Sequence, residues 1–198
     1  QQTVPLFNKA YQFLLNQVAS GRKILFVGTK RQCQQVVQEE ATRSDQWYIN
    51  QRWLGGTLTN FRTVKKSLER LHAIDQMEED GTLERLTKKE RLLISRERSK
   101  LQKNLGGIRD MKGLPGALFI VDTAREQIAV AEARKLGIPV VAFGDTNCNP
   151  EQIDYIIPCN DDAVRCIRTV LSKIADACTE GQAIYERELQ TQQAKNAE

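Results

Sequence analysis

Residues 50–68 read NQRWLGGTLTNFRTVKKSL. Arg52 and Trp53 stand before a glycine pair, Gly55 and Gly56, and a basic segment begins just beyond them. From Asn60 onward the apolar residues fall at Phe61, Val64, Leu68, Leu71, Ile74 and Met77. That three/four spacing puts them on one face of a helix. EEDGT at 78–82 interrupts the pattern, and TKKE at 87–90 carries a capping box, Thr87 with Glu90 three residues on. A second helix is predicted from there to Asn104, ended by Gly106. Two helices of about 18 residues are each about 27 Å long. Joined by a short turn, they form an antiparallel hairpin.

LGG stands at 54–56 before this hairpin and again at 105–107 after it. Glycine reaches backbone angles that other residues avoid. Gly55, Gly56, Gly106 and Gly107 are therefore read as the hinge at which the chain leaves the main body and returns. The hairpin is read as an inserted arm over 60–112.

On either side of the arm the pattern changes. Residues 5–20 predict a helix with Leu6, Ala10, Phe13, Leu14 and Val18 on one side, stopped by Gly21. KILFVGTK at 23–30 holds an apolar run that does not alternate, as in a parallel strand covered on both faces. WYI at 47–49, ALFIVDT at 117–123, IPVVAFGDT at 138–146 and YIIP at 155–158 supply further strands. Helices are predicted between them over 30–42 and 126–136, and a last one over 162–178 capped by Asn160 or Asp161. This alternation predicts an α/β fold, a Rossmann-like open parallel sheet with helices on both faces. Its core is discontinuous, 1–59 and 113–180. Residues 181–198 are read as a polar C-terminal tail that frays.

The chain has 198 residues and a net charge of +4. The distribution of charge is more informative than the total. Residues 61–112 hold 14 Lys/Arg against 9 Asp/Glu, and the remainder holds 15 against 16. The whole positive excess thus lies in the arm, the footprint expected for a polyanion partner, with a solvated helical surface of mixed charge as the other reading. No apolar run approaches the roughly 20 residues of a membrane helix, and no signal peptide is read. The five cysteines form no CxxC pair and are odd in number. A disulfide framework is not expected, and a reducing compartment fits better.

Catalytic chemistry finds little support. VGTKRQ at 27–32 joins a strand to a helix, where α/β proteins bind phosphate, but it carries neither GxxxxGK[ST] nor GxGxxG. Gly28 and Thr29 read better as a turn and a cap. The alternative they keep open is a nucleotide- or phosphate-binding Rossmann-like enzyme. Asp122, Asp145, Asp161 and Asp162 fall at predicted strand ends, where helix capping is the stronger reading and a metal the weaker. His72 is the single histidine and has no catalytic partner.

The arm and its root carry the candidate RNA contacts. These are Arg52, Trp53, Arg62, Lys65, Lys66, Lys88, Lys89, Lys100 and Lys103. Arginine can pair with a phosphate through two nitrogens, and an aromatic ring can stack on an unpaired base. Trp53 has a second reading, packing in the base of the arm.

At these residues the chain resembles a known family. RWLGGTLTNFRTVKKSL at 52–68 is similar to the segment typical of the second small-subunit ribosomal protein of bacteria and organelles. PGALFIVDTAREQIAVAEARKLGIP at 115–139 resembles that family's long signature, with Pro115, Asp122, Glu126, Glu132, Gly137, Ile138 and Pro139 in place. DTNCNP at 145–150 and IPCNDDAVRCI at 157–167 agree with it. The family's N-terminal His-Phe-Gly-type motif has no counterpart here. The resemblance implies a Rossmann-like domain with a protruding coiled-coil arm and a structural, non-catalytic role in translation. The implied partners are small-subunit ribosomal RNA and neighbouring ribosomal proteins, including the large multi-OB first protein of that subunit. It implies no cofactor, no metal, no small-molecule substrate and no membrane. The implied location is the ribosome, in bacterial cytoplasm or an organellar stroma or matrix.

Overall fold

The computed structural model describes residues 3–144, 150–159 and 163–196, with side chains to 193. The apolar runs become β1 (Ile24–Val27), β2 (Trp47–Ile49), β3 (Ala117–Val121), β4 (Val140–Gly144) and β5 (Tyr155–Pro158). They form one parallel sheet in the order β2-β1-β3-β4-β5. Every residue of β1, β3 and β4 is buried, because both faces of the sheet are covered. Ile24, Phe26, Phe119, Val141 and Phe143 enter one core with α1 (Thr3–Ala19), α2 (Gln34–Arg43) and α6 (Val164–Asn196). Leu25, Val27, Leu118, Ile120 and Val140 enter the other, with α5 (Gln127–Lys135) and the base of the arm.

The arm is α3 (Phe61–Glu79), a 3-10 turn over Thr82–Arg85, and α4 (Lys88–Leu105). β1 and β3 lie side by side, Ile24 opposite Ala117, so the chain between β2 and β3 adds no strand to the sheet. Leu68, Leu71 and Ile74 of the predicted stripe are buried. The predicted capping box is present at Thr87 and Glu90. Two polar contacts fix the hairpin's register. Arg70 holds the Glu97 carboxylate through two nitrogens, at 3.0 and 2.8 Å. Asp75, which is buried, lies 2.6 Å from Arg98 Nε and 2.8 Å from Arg109 Nη2. A carboxylate taken from water is tolerated when it is paired in this way.

The structure corrects three sequence expectations. First, the last helix does not end at Cys178, and 181–196 is not a frayed tail. α6 runs through Gly181 to Asn196. Gly181 serves a helix crossing instead of a stop: a Cβ there would lie 2.6 Å from the Leu15 carbonyl oxygen of α1. Beyond it, Tyr185 covers Gly21 and the polar sequence is rich in good helix formers. Second, α2 begins at Gln34, because the amides of Cys33 and Gln34 both close on the Lys30 carbonyl in a preceding turn. Third, Cys159 and Cys166 are joined as a disulfide between the end of β5 and the first turn of α6. Counting cysteines could not reveal a pair that the topology brings together. Cys33 and Cys178 are free and buried. The expected cap at Asn160 or Asp161, and residues Asp145, Cys148 and Asp162, lie outside the described residues.

Candidate nucleic-acid interface

The root of the arm is organised around one carboxylate. Glu132 projects from α5 into the segment that precedes α3. Its Oε1 accepts from Trp53 Nε1 at 3.1 Å and from the Gly56 amide at 2.7 Å. Its Oε2 accepts from the amides of Leu58 and Thr59, both at 2.9 Å, and from Thr59 Oγ1 at 3.0 Å. Glu132 is only 7% exposed, and burial alone would push its carboxyl up. The donors of Thr59, Trp53, Leu58 and Gly56 outweigh that, and the net shift is downward. Glu132 is thus held as an anion, and it fixes where the arm leaves the body.

This arrangement decides between the two readings of Trp53. The indole is 6% exposed, packed in the second core and hydrogen-bonded to Glu132. It is a packing residue, and its ring is not presented for stacking on a base. The glycine pairs are also explained differently from each other. Gly56 has φ +88°, a left-handed conformation suited to glycine. Gly106 is in the ordinary helical region, and Gly107 shares its 3-10 turn. Gly107 is needed for close approach: a Cβ there would sit 2.2 Å from the Tyr48 carbonyl oxygen.

The cations of the arm fall into two groups. Arg70, Arg98 and Arg109 are committed to Glu97, Glu78 and Asp75. Arg52, Arg62, Lys65, Lys66, Lys88, Lys89, Lys100 and Lys103 are exposed and form no ion pair among the described residues. With Arg70 opposite Glu97, residues 64–66 lie level with 101–103 across the hairpin. Arg62, Lys65, Lys66, Lys100 and Lys103 are thereby gathered at the root. Lys88 and Lys89 lie about 20 Å farther out along α4. There they meet the acidic end of α3, which carries Glu78, Glu79 and Asp80.

The charge order of α3 runs against its own dipole. Its first turns carry Arg62, Lys65 and Lys66, and its first turn has no acid. Its last turns carry Asp75, Glu78 and Glu79, and its last turn has no base. A helix prefers the reverse order, by about 0.3–1 kcal/mol for a charge in a terminal turn. Cations set on an already positive helix end make that end a stronger attractor of anions.

The strand-end loop is arranged differently. The Thr29 amide and hydroxyl both donate to Glu126 Oε1, the former at 3.2 Å. Arg125 Nε donates to Thr29 Oγ1 at 3.0 Å, and the Gly28 amide donates to Ile49. The donors that would hold a phosphate are taken by the protein's own buried carboxylate. Burial raises the Glu126 carboxyl, against the opposing pull of Thr29. A Cβ at Gly28 would lie 2.9 Å from Cys33 Sγ, so the turn is packed and not open. Asp122 accepts from the Arg125 amide at 3.2 Å and faces Lys30 at 3.7 Å. No group of three metal-ligating side chains occurs among the described residues.

Glu132 was visible in the sequence only as a member of a signature, with no role attached. Its partners are amides more than 70 positions away in the chain, and amides leave no mark on a sequence.

A family model described as Ribosomal protein S2 matches residues 1–181. The chain is 57% identical over 194 residues to small ribosomal subunit protein uS2 of Syntrophobacter fumaroxidans, covering 98% of this chain and 70% of that protein. It is 56% identical over 191 residues to the uS2 of Geotalea uraniireducens, covering 96% and 75%. It is 54% identical over 180 residues to the uS2 of Sorangium cellulosum, covering 91% and 65%.

Proposed function

The chain belongs to the ribosomal protein S2 family, a structural and non-enzymatic family of the small subunit, and from that premise we propose that it binds small-subunit ribosomal RNA through the root of its arm. Arg62, Lys65, Lys66, Lys100 and Lys103 contact phosphates there, with Arg52 beside them. Glu132 holds the root so that these cations are presented in a fixed arrangement. The rest of the surface meets neighbouring ribosomal proteins, the large multi-OB first protein of the subunit among them. The protein works in the ribosome, in the cytoplasm, and its contribution to translation is positional.

The observation that carries this reading is the gathering of unpaired cations at the positive end of α3. Binding of small-subunit ribosomal RNA is to be measured over a range of salt concentrations. Each lost phosphate contact flattens the slope of log affinity against log salt by about 0.7–0.9. Lys65→Ala with Lys66→Ala is expected to weaken binding and lower the slope by roughly twice that amount. A slope equal to the wild type's would remove both lysines from the interface.

A further inference from the structure

The basic footprint continues past the arm. We propose that a cleft at the amino-terminal edge of the sheet, walled by Trp47, Arg22, Lys23 and Lys112, binds an unpaired base and its phosphates from single-stranded RNA. This rests on the RNA-binding reading above and adds to it a second site with a different kind of target.

The cleft encloses about 750 Å³ and lies where the chain enters β1, β2, β3 and β4, at the end of the sheet away from the Gly28 turn. Trp47 opens β2, which is an edge strand paired only with β1, so its outer side is uncovered by any strand. Its ring is half-buried, packed in part against the second core, and its Nε1–H is buried without a hydrogen-bond partner among the described residues. Lys23 Nζ lies 6.0 Å from the ring centroid and 2.8 Å from Asp45. Arg22 and Lys112 line the same cleft and form no ion pair among the described residues. Lys23 is thus already paired with Asp45, which leaves Arg22 and Lys112 as the unpaired cations of the cleft, and the described lining offers one carboxylate, Asp110.

An aromatic wall with cations beside it is the chemistry of single-strand recognition. The ring stacks on a base whatever its identity, and the cations track the backbone. A paired base cannot present its face to such a wall, so the target is a looped-out or single-stranded nucleotide. Lys112 is the last cation of the basic segment that includes the arm, and it lines the cleft.

The full chain is to be titrated with a short oligoadenylate while tryptophan emission is followed. The chain has two tryptophans, and Trp53 is buried, so a stacking base quenches Trp47. The expected result is saturable quenching. Trp47→Ala is expected to lower affinity roughly 5- to 100-fold. Trp47→Phe, which keeps a ring, retains affinity within a few-fold, and Lys112→Ala weakens binding without disturbing β2. The idea fails if emission does not respond and Trp47→Ala binds as the wild type does. In that case a loss of ribosomal RNA affinity in the Lys65→Ala, Lys66→Ala variant leaves the arm reading standing alone. If the wild-type chain binds neither oligoadenylate nor ribosomal RNA, both readings fall together. If Trp47→Ala keeps its RNA affinity but releases the chain from ribonuclease-stripped subunit proteins, the cleft is a protein contact and the proposal is overturned.

Discussion

Burial acts on both Glu126 and Glu132, yet the two carboxylates respond in opposite directions. Glu132 faces four nitrogen donors and a hydroxyl, and is held below the ordinary 4.5. A group depressed in the folded state contributes stability that is fully present above its unfolded value and lost as pH falls through its folded value. Glu126 is raised, so its sign is reversed: its cost is absent in acid and complete once pH has climbed past its folded value. The matched pair of variants follows directly. Glu132→Ala is expected to cost roughly 2–4 kcal/mol at neutral pH, since it orphans buried donors, and to cost less in acid, where the wild type has lost the part that comes from its charge. Glu126→Gln keeps an acceptor for Thr29 and removes the desolvated charge, so it is expected to be neutral or mildly stabilising at neutral pH. Urea unfolding of both variants at neutral and acid pH checks the signs. Equal losses at both pH values in Glu132→Ala would contradict the account of a bound anion.

At this scale the sequence was only partly legible. Arg52, Lys65 and Lys66 were identifiable because charge runs show in composition, and the structure leaves them exposed. Trp53 was ambiguous, because an aromatic beside an arginine fits a base platform and a packed core equally well. Only the Glu132 contact separates them, and that partner lies 79 residues away. Gly107 was assigned to a hinge when its role is to let the Tyr48 carbonyl approach. A close approach between distant segments has no local signature.

Among the elements, α3 and α4 were read most completely. Its helices follow from a local three/four period and a local cap, and both signals lie within a few residues of what they determine. Thr87 holds the start of α4, with its side chain accepting from the Glu90 amide. Thr87→Ala is expected to speed hydrogen exchange of the first amides of α4 roughly five-fold and to leave those of α3 nearer the root unchanged. Acceleration spread evenly along both helices would mean that the hairpin opens as one unit. The reversed charge order of α3 also belongs to this scale. A helix chosen for stability alone would carry acids at Asn60–Val64 and bases near Glu79. Its actual order is understandable if the positive end is used for binding.

For the molecule as a whole, the parallel sheet was legible because a strand covered on both faces must be apolar at every position, as β1, β3 and β4 are. The far end of α6 was not. A polar stretch with a glycine looks like a tail, and only the crossing with α1 at Gly181 shows that the helix continues. The Cys159–Cys166 link is hidden for the same reason, since it depends on where β5 delivers the chain to α6. Within this frame the sheet end that serves as a ligand site in many α/β proteins is filled by Glu126, Thr29 and Arg125. The positive surface lies instead on the arm root and the opposite edge of the sheet. On the function proposed above, the fold acts as a platform whose exposed cations, not its strand ends, meet the partner.

Co-sedimentation with small ribosomal subunits on a sucrose gradient, with and without ribonuclease and at low and high salt, tests that claim most directly. The account predicts stoichiometric migration with the subunit, lost on ribonuclease treatment and weakened for the Lys65→Ala, Lys66→Ala variant. Migration that survives ribonuclease and is indifferent to those lysines would contradict it.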